Sequence, residues 1–346
     1  NEIENLSSHN KDTFLLPDML FFRPLYVLAI CRGKLHIYSR TALSPQTLLS
    51  KIADTSVTKK EKETIAANIQ AAMPRNYYLQ SVEAIRNHII DGDIYEMNFC
   101  QEFFVENFTV DPLLLHRRLL KKSKAPFSAF FRQRDIYLSC ASPERFLQKQ
   151  GRQLISQPIK GTIARGTNST EDKKLQTQLY HSEKDRAENV MIVDLVRNDL
   201  ARSSIPGTVK VDELFGIYPF AHVSHLISTV TATLRDEVHF AEALQNAFPM
   251  GSMTGAPKVM SMQLIEQYEK SKRGLYSGAL GYITPDGDFD FNVVIRSILY
   301  HTTKKYLSFQ VGGAIVYDSF PEKEYEECLL KAKAMLEVTT SPLNGA

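Results

Sequence analysis

Two pairs of acidic residues stand at helical spacing. Asp185 and Glu188 are three residues apart in a stretch that reads as a helix, and Glu324 and Glu327 repeat the interval in another. Residues three apart project from one helix face, so two such faces meeting would offer four oxygen donors. That donor set suits a hard cation such as Mg2+ better than zinc. Lys184, Arg186 and Lys323 lie beside the pairs, and a solvated helix surface carries the same pattern. Lys160, in Gln157-Pro158-Ile159-Lys160-Gly161-Thr162, stands at the end of a strand-like run. Pointed into an apolar cleft, its amine would have a lowered pKa and could act as a nucleophile. An exposed lysine in a turn would read the same way.

Gly251-Ser252-Met253-Thr254-Gly255-Ala256-Pro257-Lys258 offers backbone N–H groups ahead of a helix, an anion-friendly arrangement. It is not a phosphate loop, because the glycine spacing is wrong and Pro257 precedes the lysine. Gly312-Gly313, read as following a strand, would let the main chain approach a ligand closely. His222 and His225 fall on a strand, where residues three apart face opposite ways, which argues against a shared metal.

The elements that must position these residues are mostly strands. Leu25–Ile30 and Leu35–Ser39 flank Arg32-Gly33-Lys34 and predict a hairpin. Phe127–Phe131, Ile136–Cys140, Phe146–Lys149 and Gln153–Ile159 predict a meander, with turns at Gln133-Arg134 and Gln150-Gly151. Ile94–Val105, His225–Leu234, Leu280–Thr284, Phe289–Leu299, Tyr306–Val311 and Ala314–Val316 add further strands. Helices are predicted over Tyr78–Ile90, twice within Glu171–Leu200, over Pro257–Glu269, and over about Lys323–Val338. In the second helix of Glu171–Leu200, Ala187, Val190, Met191 and Asp194 share a face. Strands do not alternate one-for-one with helices, so the expectation is an α+β fold with large antiparallel sheets.

The composition, 43% hydrophobic and 23% charged, is that of an ordinary globular protein. A net charge of +2 with scattered Lys and Arg argues against a nucleic-acid partner. The four cysteines form no Cys-x-x-Cys pair, so neither a zinc knuckle nor a disulfide framework is suggested. No leader pattern and no apolar run of membrane length is visible, and the expectation is a cytoplasmic, non-membrane protein.

From about Tyr78 to Glu337 the sequence resembles the chorismate-utilising enzymes. The motifs are Ser142-Pro143-Glu144-Arg145-Phe146, Pro158-Ile159-Lys160-Gly161-Thr162, and Ala187-Glu188-Asn189-Val190-Met191-Ile192-Val193-Asp194-Leu195. They continue through Arg197-Asn198-Asp199-Leu200, Gly255-Ala256-Pro257-Lys258, Ile295-Arg296-Ser297, and Asp318-Ser319 leading into Glu324-Tyr325-Glu326-Glu327. The resemblance implies a single compact α+β domain of two large packed, mainly antiparallel sheets flanked by helices. Residues 1–77 then read as a shortened N-terminal region of that fold, and 78–338 as the catalytic region.

Pro-Ile-Lys-Gly-Thr is the form found in the aminodeoxychorismate branch, whereas anthranilate synthases usually have alanine where Lys160 stands. The implied reaction converts chorismate and ammonia to 4-amino-4-deoxychorismate. The lysine attacks C2 as the 4-hydroxyl leaves, and ammonia then adds at C4 and expels the lysine. Anthranilate formation and a non-catalytic chorismate-binding subunit are the alternatives. The resemblance makes Lys160 the nucleophile and Glu144 the general acid/base. It has Glu188 and Glu327 holding Mg2+, with Asp185 and Glu324 behind them, and Arg296 pairing with a substrate carboxylate. Gly161, Thr162, His225, Tyr276, Gly312, Gly313 and Lys331 complete the implied substrate pocket. No glutaminase signature is present, so a separate amidotransferase subunit is the implied ammonia source. Ile163-Ala164 replaces the usual Arg-Pro, Gly312-Gly313-Ala314 replaces Gly-Ala-Gly, and Glu96 stands where aminating relatives usually have glutamine.

Overall fold

A computed structural model describes residues 6–55 and 65–340. Asn1–Phe14 and Thr64–Ala346 form one unit, and Leu15–Glu63 form a second. Residues 6–14 and 65–77 belong to the larger unit. The small unit holds the expected hairpin, Tyr26–Cys31 with Lys34–Ser39. Its turn is made by Arg32 and Gly33, both at positive φ, the geometry that suits the twist of paired strands. A helix, Pro45–Ala53, follows and is capped by Ser44.

The larger unit contains two seven-stranded sheets among the described residues. In the first, the order is Gly255–Ala256, Glu96–Val105, Tyr306–Ile315, Ser297–His301, Ile136–Ser142 and Phe127–Gln133, with Gln70–Ala71 also beside Glu96–Val105. In the second, it is Lys210–Pro219, Val223–Thr233, Gln153–Gln157, Arg145–Gln150, Phe289–Val293 and Ala279–Ile283. Ile159–Ala164 also pairs with Val223–Thr233. Every pairing in both sheets is antiparallel. The α+β expectation with two large antiparallel sheets holds.

Alternation along Glu96–Val105 shows how the layers stack. Met97, Phe99, Phe103 and Val105 join a core with helices Arg75–Ile90, Pro112–Lys122 and Pro321–Thr340. Glu96, Asn98 and Cys100 take the opposite face, as the period of two requires, and meet Lys160, Ser252 and Tyr276. The second sheet buries Leu147, Leu154 and Val230 against helices Glu183–Ala201 and Phe240–Ala247. Helices thus cover the outer faces, and polar residues gather between the sheets.

Several local expectations are corrected. The strand expected over Gln153–Ile159 breaks at Pro158, which has no N–H to give the ladder, and a new strand runs Ile159–Ala164. Lys160 therefore lies inside a strand and not at the end of one. Phe289–Leu299 is two strands, one in each sheet, and the chain crosses between them at Arg296, whose φ is 52°. On helix Glu183–Ala201, Val190 and Asp194 are exposed, and the buried face is Asn189, Ile192, Val193, Val196 and Leu200. Gly312 and Gly313 lie within one continuous strand, opposite Cys100 and Phe99, not after its end.

Gly255, at φ 152°, pairs with Met97, and a Cβ on it would stand 2.2 Å from the Glu96 carbonyl oxygen. Gly255→Ala should lower stability by at least about 1–3 kcal/mol, the usual cost of a side chain in such a conformation. An unchanged urea midpoint would contradict this close approach.

Candidate active site

Lys160 comes from the second sheet and reaches the first. Its Nζ lies 3.3 Å from Glu96 Oε1 and 4.0 Å from Glu188 Oε2, and its side chain is 10% exposed. Burial pulls the ammonium pKa down, but Glu96, Glu188 and Glu144 outweigh burial and hold it above the ordinary lysine value. The lowered pKa expected of a lysine in an apolar cleft is not found, because the cleft is lined by carboxylates.

Glu144 is buried at the end of the turn between strands Ile136–Ser142 and Arg145–Gln150. Ser142 Oγ accepts its backbone N–H at 3.2 Å. Burial pushes its carboxyl up to about 7, against the opposing effects of a Ser252 hydrogen bond, the Lys160 charge and the Ile159 backbone. A carboxyl poised there can both give and take a proton near neutral pH.

The acidic pairs converge from two helices. Ser182 caps helix Glu183–Ala201 by accepting the Asp185 N–H, which fixes the start of the helix from which Asp185 and, one turn on, Glu188 project. Gly161, at φ 88°, lets this helix close on the Lys160 strand, since a Cβ there would stand 3.0 Å from Asp185. Burial raises the pKa of Glu188; Lys160 and Lys184 oppose the shift, and Glu96 and Glu327 add to it. On the C-terminal helix, Lys331 lies 2.7 Å from Glu327 Oε1 and lowers its pKa. Lys331 also donates to the Gly312 carbonyl at 2.8 Å. Burial raises the pKa of Glu324, which accepts from Ser319 Oγ at 2.7 Å. Gly313 lies against both acids, its Cβ position 3.5 Å from Glu324 Oε2 and 3.6 Å from Glu327 Oε1. Among the described residues no group of three His, Cys, Asp or Glu side chains forms a ready-made metal cage.

On the other flank, Thr162 Oγ1 and His225 Nδ1 are 2.9 Å apart, on strands that pair these two residues directly. Burial and the Arg296 charge lower His225 to about 4, so it is neutral at physiological pH. Burial also lowers the Arg296 pKa, with Tyr276 and Glu327 opposing. The Tyr276 hydroxyl lies 3.6 Å from Cys100 Sγ. The expected residues thus form one connected neighbourhood around Lys160. His222 is exposed and takes no part.

A profile of the family described as chorismate binding enzyme matches residues 1–337. The chain belongs to that family. It is 41% identical over 267 residues to the probable chloroplastic aminodeoxychorismate synthase of Oryza sativa subsp. japonica, covering 76% of this chain and 30% of that protein. It is 38% identical over 281 residues to aminodeoxychorismate synthase component 1 of Bacillus subtilis, covering 81% of this chain and 59% of the relative. The chain therefore spans well under two thirds of either relative. A solved structure of anthranilate synthase component I from Streptococcus pneumoniae superposes with a TM-score of 0.84 at 30% identity, covering 96% of this chain and 76% of that one.

Sequence reasoning missed several residues of this candidate site. Ser252, whose hydrogen bond opposes the rise of the Glu144 pKa, lies in a segment whose spacing reads as an anion-friendly turn. Arg273 and Glu269 form a buried bidentate pair at 2.6 and 3.0 Å. Arg273 also donates to the carbonyls of Met253 and Asn98, and Glu269 accepts the Cys100 N–H. This pair ties the Ser252 turn to the Glu96 strand. In the sequence it sits among Lys270 and Lys272 and reads as basic surface. Lys258 pairs with Asp199 at 2.6 Å, joining two of the family motifs.

Glu144 gives a pH prediction. Its folded pKa of about 7 stands above the ordinary 4.5, so folding favours the protonated acid. That stability is fully present below pH 4.5 and is lost as pH rises toward 7. Relative to Glu144→Gln, the wild-type chain should therefore lose on the order of 3 kcal/mol of stability over that window. Urea unfolding of both proteins across the window is the check, and a constant difference would contradict the raised pKa.

Proposed function

We propose that this chain aminates chorismate at C4 to give 4-amino-4-deoxychorismate, with Lys160 as nucleophile and Glu144 as general acid/base. One observation carries this reading: the Lys160 amine is buried between the sheets with Glu144 beside it, and that carboxyl is poised near 7. The likeness to proteins named aminodeoxychorismate synthase supports it.

In the proposed first step the Lys160 nitrogen bonds to C2, the ring double bonds shift, and the C4–oxygen bond breaks. Glu144 gives the departing hydroxyl its proton, and the Lys160 proton passes to a neighbouring carboxylate. Attack requires the neutral amine, so the carboxylates that raise the Lys160 pKa also serve as proton acceptors. In this reading Arg296 would pair with a substrate carboxylate, and Lys331 would complete the pocket. Neutral His225, tied to Thr162, offers a ring nitrogen for hydrogen bonding without adding charge.

The four acids on the two helices offer only carboxylate oxygens, the ligand type Mg2+ takes, and this ion is commonly held by one or two protein carboxylates with water and substrate completing the shell. Glu188 and Glu327 would hold it, with Asp185 and Glu324 orienting them. When bound, the ion supplies positive charge to the substrate carboxylate and to charge developing as hydroxyl leaves. The proposed ammonia source is a separate glutamine amidotransferase subunit.

A second reading, anthranilate formation, is favoured by the structural likeness to anthranilate synthase. Lys160 opposes it, because a lysine bonded to C2 blocks ammonia from that carbon.

Incubation with chorismate, ammonium and Mg2+, followed by mass and NMR identification of the product, should give 4-amino-4-deoxychorismate. Anthranilate as the main product would overturn the reading. Asp185→Asn should weaken Mg2+ binding and turnover about 10–100-fold, and Glu188→Gln should do so more strongly. Calorimetry reads the binding independently of activity, and undiminished turnover in excess EDTA would contradict the metal assignment.

A further inference from the structure

Glu96 is 1% exposed and projects between the sheets. One oxygen, Oε1, lies 3.3 Å from Lys160 Nζ, while Oε2 is buried without a hydrogen-bond partner among the described residues. A buried polar atom left unpaired costs on the order of 1–3 kcal/mol, and more when it carries charge. Neighbouring donors are committed elsewhere. Asn98 Nδ2 donates to the Ser252 carbonyl, and Ser261 Oγ donates to the Glu96 carbonyl, not its carboxylate. Charge points the same way, since Lys160 is the one ammonium paired with Glu96 among the described residues and it is shared with Glu188, which Lys184 also pairs at 3.8 Å. The missing partner is therefore a small donor of N–H or O–H that tolerates or carries positive charge.

The geometry points to Glu96 as the ammonia subsite: Oε1 holds Lys160, and Oε2 accepts an N–H from ammonium or ammonia. This rests on the aminating reading and gives the second displacement its nitrogen position. There the ammonia lone pair bonds to C4, the double bonds shift back, and the C2–Lys160 bond breaks with its electrons returning to the lysine nitrogen. One proton leaves the new C4 ammonium for Glu96, and one passes from Glu96 to the departing lysine nitrogen. No other reactant is needed, and the carboxylate ends as it began.

The test compares wild type with Glu96→Gln, which keeps the volume and the contact to Lys160 but removes the charge. With ammonium chloride varied at saturating chorismate, the KM for ammonium should rise at least about tenfold. The KM for chorismate, varied at saturating ammonium, should change less than about twofold. An unchanged ammonium KM, or a parallel rise in both, would overturn the assignment. A second measurement does not depend on turnover: 15N line broadening of labelled ammonium by the protein without chorismate. Wild type should broaden the line and Glu96→Gln should not; equal broadening, or none by wild type, removes the subsite. If wild type broadens the line but aminates no chorismate, the proposed function fails and the ammonium subsite stands.

Discussion

A lysine ammonium buried between two sheets must be surrounded by compensating charge, because desolvating an unpaired cation costs several kcal/mol. Lys160 meets this condition with Glu96 from the first sheet, Glu188 from a covering helix and Glu144 from the turn joining the sheets. The same carboxylates would be costly without the lysine, as the raised pKa of Glu188 shows. Sheet, helix and turn are thus held in one relation by mutual charge compensation. The short approach at Gly161 and the crossing at Arg296 place the groups that take part.

A second buried ion pair maintains the opposite wall. Arg273 and Glu269 satisfy each other and also take the carbonyls of Met253 and Asn98 and the N–H of Cys100. Their hydrogen bonds fix the turn bearing Ser252 against the strand bearing Glu96. Breaking such a pair from one side leaves an uncompensated charge, so its influence extends to the Glu144 environment without either residue touching substrate.

Much of this was legible from sequence. Turn pairs such as Gln133-Arg134 and Gln150-Gly151 marked hairpins because their second residues adopt positive φ, and the acid pairs were found by helical spacing alone. Three kinds of information were not legible. Pro158 breaks a ladder that hydropathy reads as continuous, and Arg296 divides one apolar run between two sheets. The buried face of helix Glu183–Ala201 is not marked by apolar spacing, because it includes Asn189, fully buried and bonded to Ser228. Arg273 and Glu269 escaped notice because spacing gives no sign that a charged pair is desolvated. The sign of the Lys160 pKa shift likewise depends on partners brought from distant segments.

The covalent role proposed for Lys160 is tested most directly by intact-protein mass spectrometry after mixing the chain with chorismate and Mg2+ in the absence of ammonia. The account predicts a mass increase equal to chorismate less one water, mapped by peptide analysis to Lys160 and released when ammonium is added. An unmodified Lys160, together with a Lys160→Arg variant that still turns over, would contradict it, because a guanidinium keeps its proton and cannot act as a nucleophile.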